Sequence, residues 1–229
     1  MEPVTVIIPV KDEEIGLRFL LDDFKDSSFN GNSAINFIFC IDERTSDKSS
    51  SIAREFSDVI IDQKDSKGKG AAIKQAVLKW KSQKTPFVVF LDADGSYTFD
   101  AVKSVIQALE EGAEIVSGSR FMSDKGGPKG MSMLHNFGNR FLSTVSSIRN
   151  RRRISDLCTG LWGFSSEALE SLKIKSNGFD LEAEIVGLSR RAGLRHVEIP
   201  VNWSQRKGGT SKLRSLTDGT IILLRILRT

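Results

Sequence analysis

A mostly parallel α/β sheet flanked by helices is the fold class this sequence predicts, and three observations predict it. Short runs rich in Val, Ile and Phe alternate with helical periodicities through the first half of the chain. The runs are near-continuous in apolar residues, as strands buried on both faces must be. Polar residues gather just after the runs, at the carboxyl ends where sheets of this kind bind their ligands.

The strands are expected at residues 4–9, 36–41, 59–62, 87–91 and 114–118. Between them the spacing predicts helices over 13–26, 46–56, 69–81 and 98–110. Asp47 or Ser46 suits the cap of the second helix and Thr98 that of the fourth, in which Ala101, Val105, Ile106 and Leu109 make the apolar stripe. Such alternation specifies right-handed crossovers and a parallel sheet. After Arg120 the rhythm breaks. Residues 124–130 (DKGGPKG) read as a loop, and a helix follows over 131–148 with Leu134, Phe137, Phe141, Val145 and Ile148 at three- and four-residue steps. A basic stretch at 149–153 (RNRRR) precedes a short apolar segment at 157–164, a helix at 180–192, a strand at 195–201 and an amphipathic helix at 213–228. No repeat, low-complexity segment or linker divides the chain, so residues 1–229 are expected to form a single domain.

With 229 residues, 39% hydrophobic and 27% charged, and only 5 Pro, 19 Gly and 2 Cys, the chain is neither disordered, collagenous nor disulfide-stapled. The stretch 221–224 is far too short to span a bilayer, and the first residues read as a strand rather than a signal peptide. Cys40 and Cys158 lie far apart among apolar neighbours, which suits buried thiols in a reducing compartment, hence the cytoplasm. The charge is asymmetric. Residues 1–119 carry 14 Lys and Arg against 20 Asp and Glu, and residues 120–229 carry 19 against 9. An acidic half followed by a basic half suits a metal site beside an anion-binding surface, or attachment to a membrane or nucleic acid. Nucleic acid fits poorly, because the basic residues are not interleaved with exposed aromatics and Tyr97 is the only tyrosine.

Asp92-Ala93-Asp94 follows the strand at 87–91 and offers two carboxylates to a hard cation such as Mg²⁺ or Mn²⁺ that also binds phosphate oxygens. Residues 9–14 (PVKDEE) and Asp42-Glu43 end the first two strands, where acids accept hydrogen bonds from a base or ribose; Glu13 and Glu14 equally suit a helix N-terminus. Residues 67–72 (KGKGAA) open a helix with small residues that permit close backbone approach and an N-terminus that attracts anions. Neither a Walker loop nor a dinucleotide fingerprint has this spacing. Asp156 precedes the apolar segment, where it can orient an acceptor or a cationic side chain or serve as a cap. His135 and His196 have no partner at metal-ligand spacing.

The segments V-T-V-I-I-P-V-K-D-E-E, F-C-I-D-E, G-K-G-A-A-I, F-L-D-A-D-G-S-Y and G-S-R-F, in that order, resemble inverting family 2 glycosyltransferases of the GT-A fold. In the second half I-S-D-L-C-T-G-L-W-G-F, G-F-D-L-E-A-E-I and R-K-G-G-T-S-K-L look like the dolichyl- and polyprenyl-phosphate sugar synthases, the dolichol-phosphate mannose synthase branch. The resemblance covers nearly the whole chain and implies a nucleotide-sugar half over 1–120 and an acceptor half over 121–229. It implies that Pro9, Lys11 and Glu13 line the base pocket and that Asp42 binds the nucleoside, although an aromatic residue is common at the Lys11 position. Lys69, Asp92, Ala93 and Arg120 would meet the nucleotide diphosphate. Asp94 would hold the metal directly with Asp92 and Ser96 beside it; the mannose synthases often carry Gln where Ser96 stands. Arg206 and Lys212 match a late basic pair that closes over the donor and acceptor phosphates, on a loop with Gly208 and Gly209. Glu182 and Glu184 fall in a motif that makes them possible acceptor-site residues.

The expected activity is therefore transfer of a sugar from a nucleoside diphosphate sugar (UDP or GDP) to a polyprenyl or dolichyl phosphate, with Asp94, Arg206, Lys212 and Asp156 carrying the chemistry. The two amphipathic helices beside the basic stretch imply a peripheral membrane surface. A same-fold transferase with a soluble acceptor, such as a phosphoglycerate, is the alternative. A non-catalytic nucleotide- or nucleic-acid-binding protein is a third reading, and a sugar nucleotidyltransferase lacks the Gly-rich loop expected after its first strand.

Overall fold

The computed structural model describes residues 2–27, 29, 34–57, 59–64, 67–123 and 128–229. In order, the chain forms β1 (Val4–Val10), α1 (Glu14–Asp26), β2 (Ile35–Asp42), α2 (Ser49–Arg54), β3 (Ile60–Gln63), α3 (Lys69–Trp80), β4 (Phe87–Leu91), α4 (Phe99–Glu110), β5 (Ile115–Ser119) and α5 (Arg120–Ser123). It continues with α6 (Met133–Asn150), β6 (Leu161–Ser165), α7 (Ser166–Ser171), α8 (Leu181–Arg191), β7 (His196–Pro200) and α9 (Ser215–Arg228). Residues 124–127 of the expected Gly- and Pro-rich loop lie outside the described residues.

Seven strands form one sheet in the order β3-β2-β1-β4-β6-β5-β7. β1 pairs in parallel with β2, from Val4 opposite Ile35 to Val10 opposite Ile41, and with β4 on its other side. β6 enters antiparallel between β4 and β5, and β7 lies parallel to β5. Because β6 runs the other way, the loop leading into it reaches the edge where β1, β2, β4 and β5 end. That one reversal brings the chemistry of the second half beside that of the first.

Helices cover both faces. The alternation of β1 sends Val4, Val6, Ile8 and Val10 to the layer of α1, α2 and α4, and Ile7 to that of α3, α7, α8 and α9. A fully buried Leu or Ile contributes about 1.5–3 kcal/mol, so these two layers hold the site-bearing strand ends in place. Polar groups between the layers are paired where they bridge elements: Trp80 Nε1 donates to the Thr85 hydroxyl (3.1 Å), which in turn meets the Thr5 hydroxyl (2.9 Å).

Two local expectations, the length of the second helix and the cap of the fourth, are corrected. The second helix is only Ser49–Arg54, because Asp47, just outside it, accepts from the Ser49 amide (2.9 Å) and the Glu14 amide (2.9 Å) and holds residues 43–48 in a turn. Thr98 occupies the N-cap position of α4, but its hydroxyl makes no cap; the Phe99 amide goes to Asp23 of α1 instead (2.6 Å). On α6 the apolar stripe faces outward. Phe137 is 73% exposed and Ile148 75%, with Leu134 and Phe141 also exposed, while Asn139, Leu142, Ser143, Ser146 and Asn150 are buried. On α9, Ile222 and Ile226 face the core, with Leu223 packed against it, and Leu216, Ile221, Leu224 and Leu227 remain exposed beside α6.

Candidate active site

The carboxyl end of β1 turns sharply at Asp12, whose φ of 48° lies in the left-handed region that Asp tolerates. Asp12 accepts from the Ser46 amide (2.7 Å), and the Glu13 amide donates to the Ser49 hydroxyl (2.9 Å), so the ends of β1 and β2 are stitched together. Asp42 is buried there, and its carboxylate is clamped by Arg44 through the backbone amide (2.9 Å), Nε (2.7 Å) and Nη2. Although burial opposes ionisation, Arg44 holds the Asp42 pKa below the usual carboxylate range. Pro9 lies opposite Cys40 in the ladder, and the positive charge of Lys11 acts on Asp42.

At the end of β4, Asp92 accepts from Lys69 Nζ at 2.6 Å, and Lys69 reaches Glu182 of α8 at 2.8 Å. Burial works against the charge on Lys69, but the two carboxylates outweigh it and raise its pKa. Lys69 thus ties Asp92 to the second half of the chain. Asp92, expected beside the metal, has its charge countered by this contact. The helix N-terminus that carries Lys69 is not an open anion site, contrary to expectation. A Cβ on Gly68 or Gly70 would stand 2.4 and 2.6 Å from the carbonyl oxygens of Asn177 and Ser176, and the Ala71 amide donates to Asn177. The small residues admit the protein's own backbone. Ala93 is buried, and Asp94 follows on a turn that lies against Gly16 of α1, where a Cβ would come within 2.5 Å of the Asp94 backbone. One Asp94 oxygen accepts from the Ser96 amide (3.0 Å); among the described residues the carboxylate has no cationic partner.

Residues 201–214 cross this segment as a strap. The Ser204 amide donates to the Ser96 carbonyl (3.0 Å) and the Lys207 amide to the Asp94 carbonyl (3.0 Å), while Lys207 Nζ sits 4.3 Å over the Phe19 ring. The basic pair lands on Glu13. Arg206 Nη2 reaches both its oxygens (2.5 and 2.6 Å), and Lys212 Nζ reaches Glu13 (3.3 Å) and the Asp12 carbonyl (3.0 Å). Burial raises the Glu13 pKa despite both cations. The residue expected to line the base pocket therefore holds the residues expected to bind phosphate.

Arg120 follows β5. Its Nε and Nη2 form a two-pronged pair with Asp156 (2.6 and 2.7 Å), its amide donates to the same carboxylate (3.0 Å), and Nη2 also meets the Cys158 carbonyl (2.7 Å). Burial opposes this charge too, but Asp156 prevails and the Arg120 pKa is raised. Of the roles open to Asp156, the geometry selects the orientation of a cationic side chain; its carboxylate is fully buried and faces no cleft. Glu184 serves structure likewise, accepting from the Lys175 and Ser176 amides and pairing with Arg225 of α9.

The profile of glycosyl transferase family 2 matches residues 5–173, about three quarters of the chain. The chain belongs to this family. Among curated relatives of this glycosyltransferase is glycosyltransferase AglJ of Haloferax volcanii, 25% identical over 228 residues, covering 99% of this chain and 72% of the relative. Another is a dolichyl-phosphate hexose transferase of the same organism, 26% identical over 221 residues, covering 96% and 91%. Among solved structures, glucosyl-3-phosphoglycerate synthase from Mycobacterium tuberculosis, crystallised with Mn²⁺, UDP-glucose and glycerol 3-phosphate, aligns with a TM-score of 0.73 at 16% identity, over 99% of this chain and 79% of that one. The fold is accordingly that of the GT-A glycosyltransferases.

Among the described residues no three His, Cys, Asp or Glu side chains gather into a metal cage. The donor set nevertheless fits a metal shared with a substrate. Asp42, Asp92 and Glu13 each carry a cation of the protein, whereas Asp94 at the same sheet edge carries none among the described residues. Mg²⁺ and Mn²⁺ sites built from one carboxylate and diphosphate oxygens suit that arrangement. Sequence reasoning missed Arg44, Glu198 and Asn139. An Arg two residues after a strand-end acid was the available signal for the first; the other two act through a fold that local spacing does not reveal.

Proposed function

We propose that this glycosyltransferase moves a hexose, with inversion, from a UDP- or GDP-sugar to a polyprenyl phosphate of the dolichyl type, at the cytoplasmic face of a membrane. The observation that carries the lipid acceptor is the outward apolar surface of α6 and α9 beside the basic residues Arg149, Arg151 and Arg153. The relative named as a dolichyl-phosphate hexose transferase supports the same reading. The structural neighbour, a glucosyl-3-phosphoglycerate synthase, keeps a soluble phosphoglycerate-like acceptor as the second reading. No helix among the described residues is long and apolar enough to cross a membrane, so the attachment proposed is peripheral.

An acceptor phosphate is anionic at neutral pH and needs no strong base. Catalysis then rests on positioning and on charge neutralisation at the leaving diphosphate. Asp94 is the residue that would hold Mg²⁺ or Mn²⁺, and the ion would supply Lewis-acid neutralisation of the leaving group's charge. Arg206 and Lys212 exchange Glu13 for the donor and acceptor phosphates, and the strap excludes water over the donor. Lys11 and Asp42 with Arg44 receive the nucleoside. Each basic residue near an anionic surface contributes about 1 kcal/mol. The protein should therefore sediment with anionic liposomes at low salt and be released at high salt, and replacing Arg149, Arg151 and Arg153 with Gln should weaken that binding while sugar-nucleotide affinity holds. Absence of liposome binding at any salt would favour the soluble acceptor.

A further inference from the structure

The loop that carries Asp156 has no backbone partners of its own for five consecutive amides. The Ile154 amide donates to the Ser147 hydroxyl (2.9 Å), the Ser155 and Asp156 amides to the Glu198 carboxylate (2.8 and 3.2 Å), the Leu157 amide to the Ser143 hydroxyl (2.9 Å) and the Cys158 amide to Asn139 Oδ1 (3.0 Å). Three of these acceptors, Asn139, Ser143 and Ser147, recur every four residues and so line one face of α6. That face lies opposite the exposed Phe137 and Phe141. Asn139 does more than hold the backbone: its Nδ2 donates to Asp156 Oδ1 at 2.8 Å. Both ends of the amide are thereby committed, which fixes its orientation.

We propose that Asn139 is a positioning residue for Arg120, acting through Asp156. The side chain of Asp156 takes two guanidinium nitrogens, and Asn139 holds the carboxylate from behind in the rotamer that makes this fork. Of the guanidinium nitrogens, only Nη1 of Arg120 lacks an acceptor among the described residues, and the Trp203 ring of the strap stands 6.0 Å from the guanidinium carbon. Nη1 is the donor left for a ligand oxygen. The inference rests on the reading of Arg120 as part of the donor site, with Nη1 meeting the charge that develops on the leaving diphosphate rather than the ground-state donor; a residue on a helix outside that site then governs turnover rather than donor binding.

The test compares the wild type with Asn139→Ala and with the isosteric Asn139→Asp, which keeps the acceptor for the Cys158 amide but faces Asp156 with a second carboxylate. The first readout is the Arg120 Nε–H signal in ¹⁵N-correlated NMR, assigned by its loss in Arg120→Lys. It should be protected from exchange in the wild type and exchange at least tenfold faster in both variants. The second is steady-state kinetics with UDP-glucose and GDP-mannose: kcat should fall about tenfold or more with the donor KM within about twofold. In an Arg120→Ala background, Asn139→Ala should change kcat by less than twofold, since residues acting as one unit are not additive. A protected Nε–H in a folded Asn139→Ala protein, an unchanged kcat, or losses that multiply in the double variant would each overturn the proposal. If the wild type turns over neither donor, the functional reading fails, and the NMR comparison still decides the positioning role.

Discussion

Asp156→Ala is the perturbation whose cost the structure specifies most completely. Four donors converge on one buried carboxylate: the Arg120 amide, Nε and Nη2, and Asn139 Nδ2, at 2.6–3.0 Å. The Arg120 side chain is itself only 11% exposed. Removing one partner of a buried ion pair leaves an uncompensated charge and costs about 3–5 kcal/mol, and the stranded Asn139 amide and Arg120 N–H push the value toward the upper end. With a urea m-value of about 2–3 kcal/mol per M, the unfolding midpoint should fall by about 1–2.5 M. The assay is urea unfolding followed by the fluorescence of the three tryptophans. Replacing both partners, Asp156→Leu with Arg120→Met, should recover most of the loss, because no buried charge is then left unpaired. A loss under about 1 kcal/mol in the single variant, as for an exposed pair, or a double variant no better than the single, would refute the reasoning.

Arg206→Ala and Lys212→Ala should each lower turnover about tenfold or more, one charge-assisted contact being worth roughly 1.5–3 kcal/mol, while nucleoside monophosphate affinity holds; unchanged rates in both would remove the pair from the mechanism. Asp94→Asn should leave the thermal midpoint near that of the wild type, since among the described residues the carboxylate holds one amide and no cation. His196 is pushed down to about 3, first by burial and then by Arg152, and its ring rests on the Ser117 hydroxyl (2.8 Å). Unfolded histidine takes up a proton below about 6.5 while the folded one does not, so stability is lost as the pH falls from there toward 3. Between pH 7 and 5 the wild type should lose about 2 kcal/mol more than His196→Gln; parallel pH profiles would contradict this.

The strands were legible because burial on both faces writes itself as runs of Val, Ile and Phe, and β4 begins and ends where its run does. The site edge was legible too, since the acids stand directly after those runs. Periodicity on α6 identified which residues share a face, and the outward turn of that face is fixed by Asn139, Ser143 and Ser147, whose partners lie on the loop that directly follows the helix, 7 to 19 residues further on. The insertion of β6 between β4 and β5 is a choice among pairings that local sequence does not encode. Gly68 and Gly70 announced a close approach correctly, but the approaching group is the backbone of Ser176 and Asn177 rather than a phosphate. Glu13 meets Arg206 across 193 positions of sequence, so neither residue's motif reveals the pair.

Transfer of radiolabelled sugar from UDP-glucose or GDP-mannose to a polyprenyl phosphate, followed by partition into organic solvent, tests the central claim most directly. The account predicts an organic-soluble product that forms with Mg²⁺ or Mn²⁺, disappears in chelator and is not made by Asp94→Asn. Label that stays in the aqueous phase with the lipid acceptor but passes to 3-phosphoglycerate, or transfer that Asp94→Asn sustains at the wild-type rate, would contradict it.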